Sequence, residues 1–397
     1  VFLVIADEIN FVVDSLKNMS KIKIFKASPF YIHYLNQFYI DHLGLNYKSY
    51  HEQYQTIMAD FFGWYDLWKT SLEATGNYEV VEVISNAKQL QETWAKESGL
   101  KLNGDNWQQD ILERQILEFQ PDIFFAHDFG VIDAKFRVMI KKKCPSIKLI
   151  IGWDGVAVNN KDIFKGCDVM LSCVRDTVDY YNSNGFKSDF FSFGFNEKLL
   201  EKIKNENHCY DLLFCGSIGS DKHSNRLDFL YEINKKCKLD LLANPLDVTL
   251  KNYLGSMARL DLKRFQYLNK IKALSRVNHG QVFGIKMFQA LANSRIVLNS
   301  HIDVAGDRAS NMRLFEATGV GACLVTDYKP ELKELFDLDR EVVAYKSTKE
   351  AIDKIGYLLN NEDERRKIAI AGQKKIIDNY PSDRQIKQVI NDITKSL

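Results

Sequence analysis

The segment Asn311 to Asp327, NMRLFEATGVGACLVTD, sets an asparagine, an arginine and a glutamate at spacings that suit an anionic ligand. If a helix opens at Asn311, then Asn311 and Arg313 occupy its first turn and Glu316 lies one turn further on. A diphosphate at that helix start would meet the helix dipole and Arg313, while Glu316 could accept hydrogen bonds from a ribose diol. Gly319 and Gly321 then let the backbone turn closely into the next strand. The same spacing of three suits an intrahelical ion pair between Arg313 and Glu316 with no ligand at all. A second anion site is offered by YDLLFCGSIGSDKHSNRLDFL, where Gly216, Ser217 and Gly219 precede a helix that Ser224 could cap, with Arg226 just inside it. Backbone amides at such a start attract phosphate and the guanidinium adds to that attraction. The alternative is a tight turn with a surface arginine. Lys286, on the preceding helix, could help hold a leaving diphosphate or simply be solvated.

Proton transfer would fall to His127 and Asp128 in FFAHDFG, at the end of an apolar run, with Asp154 in IIGWDG as a further candidate. A base for an acceptor hydroxyl must come within hydrogen-bond reach of it. SPFYIHYLNQFY, which opens with Ser28, supplies aromatic rings for stacking on a sugar or acceptor. Tyr31, Tyr34 and Phe38 recur at three and four, which is also how a helix buries a core face. No zinc-ligand spacing appears, and DLD at Asp337 to Asp339 reads as a chance D-x-D, so no metal or other cofactor is expected.

These groups need elements to hold them. From Lys21 short apolar runs alternate with amphipathic stretches of helix length, the pattern of parallel strands joined by helices. KIKIF, YEVVEVI, DIFFA, IKLIIG, DVMLS and DFFSF fill one Rossmann-like sheet, and YDLLFCGS, KLDLLAN, RIVLNS, ACLVTD and EVVAY a second. The polar stretch from Asn196 to His208 separates them. We therefore expect an α/β protein with an amino-terminal domain over 19–197, a carboxyl-terminal domain over 208–380 and a terminal helix over 381–397. Residues 1–18 read as an extension without an assigned role. Ser347 and Glu350 form a capping box opening a helix that ends near Leu359, and Pro381 divides the last two helices.

Ligands of open parallel sheets gather at the carboxyl ends of strands. Those ends here are polar or glycine-rich: Ser28-Pro29, His127-Asp128, Gly152-Trp153-Asp154, Gly216-Ser217, Asn299-Ser300-His301 and Asp327. Two sheets facing each other would join them into one pocket for a ligand with two chemically different halves.

The 397 residues exceed one ordinary core, and 46% hydrophobic with 26% charged residues is the balance of a folded protein. With 53 basic against 52 acidic residues, no global field recruits nucleic acid. The seven cysteines form no C-x-x-C pair and read as reduced thiols. No apolar run reaches the roughly eighteen residues of a membrane span, and the start lacks signal-peptide features, so the cytoplasm is expected. The basic run Lys263, Arg264, Lys270, Lys272 and Arg276 suits either a packed helix with a basic outer face or weak peripheral membrane contact.

NMRLFEATGVGACLVTD, followed by PELKELF and later ERRKIAIAGQ, resembles the carboxyl domain of GT-B glycosyltransferases of the group 1 type. It is most similar to their spore-maturation-protein-like (CgeB-like) branch. The resemblance implies two Rossmann-like domains facing a cleft, with carboxyl-terminal helices packing back toward the amino-terminal domain. It implies that Glu316 contacts the ribose of a nucleotide-sugar. An acidic residue in a PSxxExxG-like segment precedes that glutamate by eight positions in the group. SHIDVAG offers Asp303 and Gly306, but Asp303 lies thirteen positions before Glu316, and Arg308 holds the usual spacing. FFAHDFG is similar to the strand end of retaining enzymes such as glycogen synthase, where the histidine approaches the donor sugar. The implied activity is metal-independent sugar transfer from a nucleoside-diphosphate-sugar to a hydroxyl of a glycan, lipid-linked or protein acceptor. Two alternatives keep the fold: a nucleotide-sugar 2-epimerase, and a noncatalytic nucleotide-sugar-binding scaffold.

Overall fold

The computed structural model describes residues 21–102, 104, 106–155, 164–204, 209–218, 224–246, 262–301 and 306–395. The amino-terminal extension lies outside these residues, as does Asp303.

Among the described residues each expected apolar run forms a strand. In the first sheet these are β1 Ile22–Ser28, β2 Tyr78–Ile84, β3 Ile123–Ala126, β4 Leu149–Trp153, β5 Val169–Ser172 and β6 Ser188–Phe190. Their order is β2-β1-β3-β4-β5-β6, and every pairing is parallel. The second sheet comprises β7 Tyr210–Cys215, β8 Leu239–Leu242, β9 Ser294–Leu298, β10 Cys323–Asp327 and β11 Val343–Tyr345. It is also parallel, in the order β11-β10-β9-β7-β8.

Continuous apolar runs form these strands because both faces are covered. In β3, Ile123 and Phe125 enter the core on one face while Phe124 and Ala126 enter the core on the other. In β9, Ile296 and Leu298 face one core and Val297 the other. A buried Lys26–Glu82 pair, 2.8 Å apart, bridges β1 and β2 in register. Ser347 accepts the amide of Glu350 at the start of the helix Thr348–Asn360, and Glu350 returns a bond to the amide of Lys346.

The chain crosses between the domains twice. Gly194 and Phe195 pass beside Tyr380 and Ser382, with Phe195 N donating to Tyr380 O at 2.9 Å and Ser382 N donating to Phe195 O at 3.0 Å. Gly194 is required there, since a Cβ would sit 2.5 Å from Tyr380 O. After this crossing the helix Ser382–Thr394 returns to the first domain. Its Ile386, Val389, Ile390 and Ile393 pack with Trp68, Leu72 and Phe191 under the first sheet.

Candidate active site

The strand order reverses between β1 and β3 in the first sheet and between β7 and β9 in the second. Such switch points open a crevice at the strand ends. Here both crevices face one cavity of about 1210 Å³, lined by Pro29, Phe30 and His127 from one domain and Gly216, Ser217, Asn299, Ser300 and His301 from the other. That exceeds the roughly 300–1,000 Å³ of an ordinary ligand pocket and leaves room for two substrates.

On the carboxyl-domain side, Asn311 caps the helix Met312–Gly319 by accepting the amide of Arg313 at 2.8 Å. Its side-chain amide donates to Asn299 Oδ1 at 2.9 Å, which ties the helix start to the end of β9. Arg313 and Glu316 do form the intrahelical pair, at 2.8 Å, and both line the cavity. The ion pair and a ligand role are therefore compatible, since the paired Glu316 still faces the cavity. Arg313 Nη1 and Nη2 also reach Met287 Sδ at 3.4 Å, while its buried Nε has no partner among the described residues. Gly319 must lack a Cβ because the Phe195 ring occupies that space. Gly216, Ser217, Gly306 and Arg226 line the cavity as well. Arg226 spans the switch point, with Nη1 donating to Ser217 O at 2.8 Å and Nη2 to Ser300 O at 2.5 Å.

On the amino-domain side His127 sits among rings. Trp64 lies 4.9 Å away edge-on and Phe125 5.9 Å away in a stack. Its Nδ1 lies 3.1 Å from Ser28 Oγ. Burial pushes its pKa down to about 3, with the Lys26 ammonium acting in the same direction. The ring is therefore neutral at ordinary pH, a hydrogen-bonding group with little tendency to accept a proton. Tyr31 is 68% exposed and lines the cavity, while Tyr34 and Phe38 are core residues. Tyr31 precedes the helix Ile32–Asp41 as its cap, which separates it from the two core rings.

Four expected site residues stand elsewhere. Asp128 is buried and does not line the cavity; its carboxylate accepts Ser85 Oγ at 2.6 Å and the amides of Gly130 and Val131. It braces the loop after β3, because consecutive strand residues point to opposite faces. Asp154 accepts the phenol of buried Tyr181 and is likewise away from the cavity. Ser28 is buried and reaches the cavity only through His127. Lys286 is 70% exposed and pairs with Asp41 of the other domain at 2.6 Å, so it straps the domains together instead of facing a diphosphate.

Other residues complete the site, among them Arg308, which the sequence offered only as the residue at the usual spacing before Glu316. Arg308 Nε donates to Asp176 Oδ2 at 2.7 Å across the cleft, and both residues line the cavity. Trp64, Trp153 and Phe283 complete its aromatic wall. His301 was visible only as a polar strand end. No local signal links these residues, which are brought together by the facing of two sheets. Among the described residues, no group of three or more acidic, histidine or cysteine side chains could hold a metal ion.

Residues 252–391 match the sequence family described as Glycosyl transferase-like. No curated protein matches the chain. Among solved structures, a glycosyltransferase from Rickettsia africae is similar over 95% of this chain and 99% of its own, with a TM-score of 0.57 at 11% identity. HepE from Anabaena, solved in complex with UDP and glucose, has a TM-score of 0.56 at 11% identity and covers 95% of this chain and all, 100%, of its own. Sucrose-phosphate synthase from Thermosynechococcus elongatus has a TM-score of 0.54 at 10% identity over 95% of this chain and 100% of its own. The facing parallel sheets and the crossing of the carboxyl terminus, shared with these solved structures, give the chain the GT-B fold, and its carboxyl-terminal part matches a glycosyltransferase-like sequence family.

Proposed function

We propose that the protein transfers a sugar from a nucleoside-diphosphate-sugar, held by the carboxyl-terminal domain, to a hydroxyl of a glycan, lipid-linked or protein acceptor held by the amino-terminal domain. The observation that carries this reading is the single cavity joining the two switch points. One half is lined by Gly216, Ser217, Asn311, Arg313 and Glu316, and the other by His127 and aromatic rings. In this arrangement Glu316 accepts the ribose hydroxyls, and the amides at the helix start meet the diphosphate. His127, neutral and fixed by Ser28, offers a ring nitrogen to a hydroxyl of the donor sugar. Tyr31 and Trp64 offer faces on which a sugar ring can stack.

The HepE complex with UDP and glucose supports a nucleotide-sugar as the donor class. We further infer that the chemistry needs no metal, with helix-end amides and Arg313 meeting the charge of the leaving diphosphate. We place the chain nearest the CgeB-like branch on the segment Asn311 to Asp327, and in the cytoplasm. No helix among the described residues is long and apolar enough to cross a membrane. Among the described residues the carboxylates lining the cavity are Asp176 and Glu316, each already paired with an arginine. An epimerase would need an acid and base pair there, so transfer is the better reading.

The test is donor turnover over a panel of UDP-, GDP-, ADP- and dTDP-sugars, with candidate acceptors, for wild type and Glu316→Ala. Turnover of one donor class by wild type, with its KM raised about tenfold or more in Glu316→Ala, is the expected result. Donor binding without turnover under every acceptor condition would favour the scaffold. Interconversion of donor epimers would favour the epimerase.

A further inference from the structure

His301 lies just beyond the end of β9, at the switch point of the second sheet, and its side chain is 1% exposed although the residue lines the cavity. Its Nδ1 lies 2.7 Å from Asp327 Oδ1, the oxygen that also accepts the His301 amide at 2.9 Å. An ionised carboxylate only accepts, so Nδ1 carries the hydrogen. Asp327 is held ionised: burial pushes its pKa up, but the bonds from His301 outweigh that and leave it below the ordinary carboxylate value. The ring is thereby fixed, and its other nitrogen, Nε2, is buried with no partner among the described residues. Native structures seldom leave a buried polar atom unpaired without a use for it.

The surroundings indicate what that use is. Ser300, the preceding residue, is pinned through its carbonyl by Arg226, which also holds the Ser217 carbonyl at the end of β7. Asn299, one residue earlier, is bonded to the cap Asn311 of the helix carrying Arg313 and Glu316. His301 is thus locked between the two anion-binding candidates of the donor half.

We propose that His301 Nε2 hydrogen-bonds the diphosphate of the donor, and that Asp327 is the positioning residue that aims it. This rests on the reading that a nucleoside-diphosphate-sugar occupies the carboxyl-domain half. In its doubly protonated form the ring donates from Nε2 to a phosphate oxygen while Nδ1 keeps its bond to Asp327. The resulting imidazolium is offset by the Asp327 carboxylate and is in place when charge builds on the leaving diphosphate. Among the described residues, the charged or titratable groups around this strand end include Lys329, 3.8 Å from Asp327 Oδ2, Arg226 from the helix after β7, and Tyr345 of β11, whose hydroxyl donates to Asn299 O.

The experiment is calorimetric titration of the full chain with UDP, GDP and ADP and with the matching nucleoside monophosphates. His301→Asn keeps a donor for Asp327 but removes the far nitrogen, and His301→Gln restores a donor near the Nε2 position. Expected are about tenfold weaker diphosphate binding in His301→Asn, monophosphate binding within about twofold of wild type, and partial recovery in His301→Gln. Asp327→Asn should likewise weaken diphosphate binding while sparing monophosphate binding, with melting temperatures confirming folded variants. Equal losses for mono- and diphosphates, or no loss in either variant, would overturn the proposal. If Glu316→Ala weakens nucleotide binding while His301→Asn does not, only this inference fails. If wild type binds none of the three diphosphates, the donor reading fails and takes this inference with it.

Discussion

Glu316 and His127 face each other across the cavity with opposite electrostatic histories. Glu316 pairs with Arg313 at 2.8 Å, so Glu316→Ala removes the proposed donor ligand and also strands the Arg313 guanidinium. Glu316→Gln keeps the shape and one acceptor oxygen. We expect Glu316→Ala to lower stability by about 1–3 kcal/mol in urea denaturation and Glu316→Gln by less, while both raise the donor KM. His127 is kept neutral by burial, with a pKa of about 3. The unfolded chain takes up a proton near the ordinary value of about 6.5 and the folded chain does not. Stability is therefore untouched by this group above that value and is lost as the pH falls from it toward 3. A slope of up to about 1.4 kcal/mol per pH unit is expected between roughly pH 6 and pH 4, absent in His127→Asn. Denaturant titrations of both proteins at pH values across that window check it. For the same reason, transfer activity should show no limb from His127 titration near neutrality.

Elements meet across the domain boundary at few places, and the start of the helix Gly284–Ala292 is one of them. Gly284 has φ +55 and its missing Cβ would fall on Asp60 of the other domain, whose Oδ1 also accepts the amide of Ile285 at 3.3 Å. Gly284→Ala therefore combines a left-handed backbone penalty with an inter-domain clash. A loss of at least about 1–2 kcal/mol in urea denaturation is expected, together with a larger radius of gyration in X-ray scattering as the contact parts. Unchanged scattering and stability would show that the Asp60 loop yields freely. Such a contact was not legible in GQVFGIKMFQA, where Lys286 drew attention as a charge. Its partner Asp41 lies 245 residues away in sequence, and that separation is why the lysine read as a diphosphate ligand. By contrast Tyr34 and Phe38 were legible as a buried helical pair from their period, whereas the place of Tyr31, the cap before that helix, was not.

At the scale of the whole molecule, the last helix belongs to the first core. Ile390 is fully buried among Trp68, Leu72 and Phe191, so Ile390→Ala opens a cavity beneath a sheet laid down by the first half of the chain. A loss of about 2–5 kcal/mol is expected, and it should appear in the unfolding of the amino-terminal domain. Hydrogen exchange on β1 and β3 would locate it; an effect confined to the carboxyl-terminal domain would contradict this packing. The return of the chain also draws Phe195 and Ser382 into the hinge that lines the cavity, so the stability of one domain and the geometry of the cleft share residues.

What the sequence determined by itself follows from local physics. Runs such as DIFFA and RIVLN can only be strands covered on both faces, and the alternation of strands with helices dictates two parallel sheets with polar strand ends. Asn311, Arg313 and Glu316 were legible because they lie within one helical turn of each other and of the cap. The tertiary structure decided everything that depends on which ends meet. It turned Asp128 into a loop brace beside a cavity-facing His127, gave Lys286 and Arg308 partners in the opposite domain, and joined His301 to Asp327 through adjacent strands. Those outcomes rest on through-space distances between residues far apart in the chain. No spacing along one segment encodes them, because the two sheets fold on local patterns and only their facing brings the side chains together.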